Sequence, residues 1–176
     1  MQIKQPSNHV DQLIRQTRAH HVQLSSMADM KANMLLTLSS LMIPLCIRFL
    51  ENPHFRLEGI TMIGFCALTV ALSAYSSMPK INLRKEHNQQ PDLNNPFFNI
   101  LFFGNFTSLD YDDYKQVMED VMNDHNRAYE VQLRDIYSMG DYLSQKKYFF
   151  LRMAYLSFIS GIVLSALICG VSFIFS

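Results

Sequence analysis

The sequence predicts an all-α integral membrane protein with three transmembrane helices, two of them extended into a cytosolic helical module. Three observations predict it. The apolar residues are gathered into three blocks, the charges lie between the blocks, and the polar stretches joined to the first and third blocks carry apolar residues at helical spacing. A bilayer core about 30 Å thick takes roughly 20 apolar residues of helix. Gly59–Ser77, GITMIGFCALTVALSAYSS, has no charge, and Tyr148–Phe175 is broken only by Arg152 near its start. Met34–Leu50 is shorter and carries Pro44 and Arg48. It spans if the helix starts near Ala32 and Arg48 extends its aliphatic stem toward the far headgroups. A buried core helix is the alternative for this block, but a soluble chain of 176 residues could not hide the other two.

The elements follow in order. Residues 1–31 form a cytosolic stalk, with a frayed tail over residues 1–8 and then Val10, Leu13, Ile14, Leu24 and Ala28 on a helical period. No Gly or Pro interrupts this pattern before Pro44, so one helix is expected from His9 to about Ile43, polar first and membranous later. The first span is residues 32–50. Residues 51–58 make a tight outer hairpin, where Pro53 stops the first helix and Gly59 opens the second. The second span is residues 59–77. Residues 78–147 are a cytosolic linker and helical module. It begins as a polar linker punctuated by Pro79, Pro91 and Pro96, followed by the Phe-rich FFNILFFGNF, which is too short and irregular to span. SLDYDDYKQVMEDVM reads as a helix with Ser108 or Asp110 at its N-cap and acids in its first turn. NDHN breaks it. From about Arg127, Tyr129, Leu133, Ile136, Tyr137, Gly140 and Leu143 mark a second helix that can run straight into the third span, residues 148–175.

Lys and Arg cluster in the N-terminal segment (Lys4, Arg15, Arg18, Lys31) and between spans two and three, from Lys80 to Lys147. The short hairpin has only Arg56, with Arg48 at its edge. The positive-inside rule then places the N-terminus and the middle segment in the cytoplasm and the C-terminus outside. The first thirty residues are polar with no cleavage pattern, so the first span is expected to serve as its own insertion signal.

Composition excludes several classes of function. Fifteen basic and fifteen acidic residues balance, with nothing to suggest nucleic-acid binding. Cys46, Cys66 and Cys169 all fall inside spans, away from any extracellular disulfide framework. His20 and His21 are adjacent, so they point about 100° apart on a helix and do not chelate as an i, i+4 pair would. No metal motif, Gly-rich phosphate loop or nucleophile–base pair is present, so no catalytic residue, metal or cofactor is expected.

Three constellations remain. Ser25, Asp29, Asn33, Thr37 and Ser40 lie on one face of the first helix. Such a stripe either hydrogen-bonds to neighbouring helices or faces a cavity, a pore or an oligomer seam. Ser157, Gly161 and Ser165, continued by Cys169, Ser172 and Ser176, form a small-residue stripe on the third span, for packing within the chain or for self-association. The third set is cationic and aromatic: Lys31, Arg134, Lys146, Lys147, Tyr137, Tyr148 and the Phe cluster. These residues suit a ligand with one phosphate and a flat base, or they are ordinary topology anchors and interfacial aromatics. Asp29 or Asp141 could pair with a base on another helix, and the spacing does not choose between them.

H..QL..MADMKAN at the base of span one, NNPFFNILFFGNF, and Y..QLRDIYSMGDYLSQKKY running into span three resemble the small membrane effectors of bacterial Pycsar anti-phage systems, over nearly the whole chain. The resemblance implies a multi-pass inner-membrane protein without enzymatic activity. A partner pyrimidine cyclase would make cyclic CMP or cyclic UMP on infection, and the effector would respond by impairing the membrane, so that the cell fails before phage release. The chain has no strand pattern for a cyclic-nucleotide-binding β-barrel, so the helical module would have to take the ligand. On this reading Asp29, Lys31, Asn33, Arg134 and Lys147 are the candidate ligand-binding or gating residues, and Ser157, Gly161 and Ser165 the candidate packing or oligomer seam. The partners implied are the lipid bilayer, the cyclic nucleotide and further copies of the chain. The rival reading is a constitutive membrane scaffold or regulatory subunit with no ligand gating.

Overall fold

The computed structural model describes residues 7–78 and 98–175, and all regular structure among them is helical. The polar linker with Pro79, Pro91 and Pro96, the start of the Phe-rich segment through Phe97, the first six residues and Ser176 lie outside the described residues. Helix α1 runs Asn8–Ile47, α2 Arg56–Ser77, α3 Phe103–Phe106, α4 Tyr111–Asn123, α5 His125–Tyr142 and α6 Phe149–Phe175. A π-helical stretch, Leu143–Tyr148, joins α5 to α6. Three of these helical stretches are long and apolar enough to cross a membrane.

Helix α1 passes through Pro44 and ends one turn later than the periodicity predicts. A proline there removes a single intrahelical bond near the helix end, and membrane helices tolerate that loss. The hairpin between α1 and α2 is two short 3₁₀ turns, Arg48–Glu51 and Pro53–Phe55. The Asn52 side chain accepts from the His54 backbone N–H at 3.1 Å, with Pro53 in the first position of the turn. Helix α2 therefore opens at Arg56 rather than Gly59, and Glu58 sits in its first turn, where an acid suits the helix dipole. Gly59 serves packing instead. A Cβ there would lie 3.1 Å from the Cys46 carbonyl oxygen, so its bare backbone lets the end of α1 approach α2. Asp110 holds the N-cap position of α4 without a capping bond, while the Ser108 hydroxyl donates to the Asn105 carbonyl. The break between α4 and α5 is Asp124 alone, whose carboxylate accepts from the Asn126 N–H.

The chain divides into two compact units. One, the membrane unit, comprises Leu24–Met78 and Ser144–Ser176. Its interior is rich in small side chains: Ala28, Ala32 and Ala154 cluster with Leu35 and Leu151, Cys46 and Cys66 with Met62, and Ser39, Thr69, Ser73 and Ser76 are fully buried. Its exterior carries Leu38, Leu41, Leu45, Leu68, Ile159, Leu164 and Leu167. In water this distribution would be inverted. In lipid, large apolar groups lose nothing by facing outward, and small residues inside let the backbones come close enough for dispersion and hydrogen bonds to hold the helices together.

The other unit comprises Met1–Gln23 and Pro79–Leu143. Its described part packs the N-terminal half of α1, the 98–110 segment, α4 and α5, with Ile14, Ile100, Val121 and Tyr129 buried. Both units draw on α1, which supplies its polar first half to one and its apolar second half to the other.

Candidate functional site

In the membrane unit the sequence-predicted residues Asp29 and Lys147 meet. The Lys147 ammonium donates to Asp29 Oδ1 at 2.7 Å, to Oδ2 at 2.7 Å and to the Ser25 hydroxyl at 2.8 Å. The Lys147 side chain is 9% exposed and that of Asp29 41%. A lysine has three N–H donors and no acceptor, so these contacts answer its whole hydrogen-bonding capacity. Two further bonds pin the same place. The Ser76 hydroxyl on α2 donates to the Lys147 carbonyl at 2.9 Å, and the Tyr148 hydroxyl donates to the Leu24 carbonyl on α1 at 3.1 Å. Lys147 thus ties α1 through its side chain and α2 through its backbone. It can do both because it lies in the π-helical stretch, where the i→i+5 pattern replaces the ordinary ladder and shifts the register of the side chains.

Lys31 and Asn33 are exposed on α1, and so are Thr37 and Ser40. The Thr37 hydroxyl donates to the Asn33 carbonyl of its own helix. The polar stripe therefore divides: Ser25 and Asp29 bond to Lys147, and Asn33, Thr37 and Ser40 lie on the outside of the unit. Ser157, Gly161 and Ser165 face α2 within the chain. The Ser157 hydroxyl donates to the Phe65 carbonyl and the Ser165 hydroxyl to the Glu58 carbonyl, both at 3.3 Å. A Cβ on Gly161 would meet Phe65 Cβ at 2.5 Å, so α6 passes α2 at a distance only glycine permits.

Arg134 belongs to the other unit. It lines a cavity of about 280 Å³ with Phe98, Ile100, Val117, Val121, Arg127, Glu130 and Val131. Its guanidinium donates to the Phe98 carbonyl and pairs with Glu130, both at 3.3 Å. The wall carrying Phe98 and Ile100 is held by Asn99, which is buried. The Asn99 amide donates to Asp135 Oδ1 at 2.8 Å and to the Ser138 hydroxyl at 3.1 Å, and its oxygen accepts from the Leu101 N–H at 3.0 Å. Asp135 takes Arg18 of α1 on its other oxygen at 3.3 Å. On the same helix the Tyr129 hydroxyl donates to Asp11 at 2.7 Å. That bond first, then burial and the nearby negative charge, push the Tyr129 phenol above its ordinary range.

Sequence reasoning missed Asn99 and Glu58, and it named Asp135 beside Arg134 and Ser76 in a weak small-residue stripe on span two without finding the partner of either. Asp135 gave a faint signal, as an acid on the same side of α5 as Val131 and Met139. Glu58, only 6% exposed, accepts the Ser172 hydroxyl at 2.8 Å, yet in sequence it reads as the last residue of a polar loop. Among the described residues there is no cluster suited to a metal ion.

A model of the Pycsar effector protein domain, PycTM, matches residues 12–175. The chain belongs to this family. The match spans both units and every residue of the sites above except Asp11. Comparison with curated proteins gave no match, and neither did comparison with solved structures. As a Pycsar effector the chain has an anti-phage role, within systems that signal by cyclic pyrimidine nucleotides. Transmembrane effectors of this family are generally non-enzymatic.

Proposed function

We propose that this Pycsar effector responds to cyclic CMP or cyclic UMP, made by a partner pyrimidine cyclase, by impairing the integrity of the bacterial inner membrane, so that an infected cell fails before phage is released. The observation that carries the reading is the family match over residues 12–175, which covers both the membrane-spanning helices and the polar helical part. The distribution of Lys and Arg favours a cytoplasmic N-terminus and a periplasmic C-terminus.

The Lys147–Asp29–Ser25 joint supports a switch at the base of the spans. A ligand shifts an equilibrium only by its differential affinity for two packings. A buried ammonium with all three donors answered has one well-defined packing, and any alternative must re-solvate it or give it new acceptors. In this reading Asp29 and Lys147 are gating residues, Lys31 and Asn33 flank the joint, and Arg134 acts on the ligand side. The effector works as a homo-oligomer, for which exposed Asn33 offers a polar group that a second copy could satisfy in lipid.

The test is dye release from liposomes holding the purified protein, with cyclic CMP, cyclic UMP and cyclic AMP added singly. Release with a pyrimidine and none with the purine is expected. Retention of dye with all three would move the constitutive scaffold reading ahead.

A further inference from the structure

The cavity beside Arg134 is lined by residues of the Pro79–Leu143 part of its unit, and its chemistry is mixed. Val117, Val121, Val131, Ile100 and Phe98 give it an apolar wall, while Arg127, Glu130 and Arg134 bring charge to the same space. We infer that this cavity is the nucleotide site of the effector: the two guanidiniums take the single phosphate and the apolar wall takes the pyrimidine ring. The inference rests on the cyclic-nucleotide reading of the preceding section and gives it a location.

Size argues for one mononucleotide. Small-molecule sites run from about 300 to 1,000 Å³. At about 280 Å³ the cavity lies just below that range, a size that suits a single small nucleotide and not a dinucleotide. Charge argues for an anion held by exchange. Arg127 reaches Asp120 at 3.4 Å with both side chains at least half exposed, and Arg134 reaches Glu130 at 3.3 Å across one helical turn. The Arg127–Asp120 pair is long and exposed and contributes little, and the Arg134–Glu130 pair is long, with Arg134 partly buried. A phosphate can replace them with shorter, charge-assisted and bidentate bonds, for which the planar guanidinium fork is suited. Glu130, an acceptor only, can then take a sugar hydroxyl or a ring amine of the ligand.

The wall is also made to hold its shape. Phe98 and Ile100 flank Asn99, and the bonds from Asn99 to Asp135, Ser138 and Leu101 fix that short segment against α5. Arg134 donates to the Phe98 carbonyl, so the residue proposed to bind phosphate is coupled to the residue proposed to cover the base. Occupancy of the cavity would draw on both.

The experiment is equilibrium binding of radiolabelled cyclic CMP and cyclic UMP to the full-length protein in lipid nanodiscs. Cyclic AMP, 5′-CMP and inorganic phosphate serve as competitors. Arg134→Gln and Arg127→Gln should each weaken binding roughly 10- to 100-fold, the range for lost charge-assisted bonds. Val131→Phe, which fills the cavity and leaves every charge in place, should weaken it by about tenfold or more. Met122→Ala, at an exposed position of α4 outside the cavity, should bind as wild type. Because Arg134→Gln also releases the Phe98 carbonyl, Arg127→Gln and Val131→Phe keep the test decisive if that variant fails to fold. Wild-type binding that all three cavity variants retain would overturn the cavity and leave the cyclic-nucleotide reading standing. Inorganic phosphate competing as strongly as the pyrimidine nucleotides would make the cavity a general anion site and overturn the assignment. No binding of either nucleotide by the wild type would overturn direct sensing, and the cavity with it.

Discussion

The Lys147 ammonium lies 2.7 Å from both carboxylate oxygens of Asp29, although 118 residues separate them in the chain. Removing one partner leaves the other with an unanswered charge. Lys147→Met keeps much of the length of the side chain and should lower stability by about 2–3 kcal/mol, less than for a fully buried pair because Asp29 is partly solvated. Asp29→Asn should cost less, since an amide still accepts one hydrogen bond. In a double-mutant cycle the two should couple by about 1–3 kcal/mol. Thermal unfolding of the four proteins in detergent, followed by helical circular dichroism, gives the number. Strict additivity would mean that the contact contributes nothing.

Asn99 is answered on both polar side-chain atoms, by Asp135, Ser138 and the Leu101 amide. Asn99→Ala leaves the buried Asp135 carboxylate short of a donor and should destabilise the surrounding unit by about 1–3 kcal/mol. Hydrogen exchange should quicken in residues 98–106 and in α5 while α2 is unaffected. Equal protection in wild type and variant would show that the 98–101 segment is held by its apolar contacts instead.

Gly161 and Gly170 lie on the same helix and make a matched pair. A Cβ at Gly161 collides with Phe65, whereas nothing lies within 4 Å of one at Gly170. Gly161→Ala should destabilise the protein by about 1–3 kcal/mol through overpacking. Gly170→Ala should be neutral or slightly stabilising, because alanine is the better helix former. Equal effects of the two substitutions on the detergent melting temperature would refute a close α2–α6 crossing at Gly161.

Tyr129 gives a pH prediction with a definite sign. Its hydroxyl donates to Asp11, and the phenol is raised above its ordinary range. The neutral phenol is therefore favoured in the folded state. The stability this contributes is fully present below the unfolded value near about pH 10 and is lost as pH rises through the folded value. In an ultraviolet titration one tyrosine should ionise later than the rest, and Tyr129→Phe should remove that late step. A titration curve that the substitution leaves unchanged in shape would contradict the assignment.

Much of this architecture is legible in the sequence because it depends on local composition. An uncharged block of bilayer length and an apolar repeat at helical spacing do not need a partner to be recognised, so the spans and the helices around Tyr111 and Arg134 can be placed from residues alone. The boundaries are less legible. Glu58 reads as a loop residue because acids favour water, but in the structure the first turn of α2 and the Ser172 hydroxyl accommodate it. Asn99 is inconspicuous in a phenylalanine-rich run because its partners, Asp135 and Ser138, lie in a different element.

The sequence by itself determined that this chain is helical, that three of its segments suit lipid, and that small and polar residues line particular helix faces. These are properties of period and transfer free energy, which each segment carries alone. Only the tertiary structure decided what those faces meet. It paired Asp29 with Lys147, turned the small stripe of Ser157, Gly161 and Ser165 onto α2, and set Arg134 at the wall of a cavity with Phe98 and Glu130. Such choices depend on which distant atoms come within about 3 Å of one another. An ion pair or a cavity wall is a property of two or more segments together, specified by none of them singly.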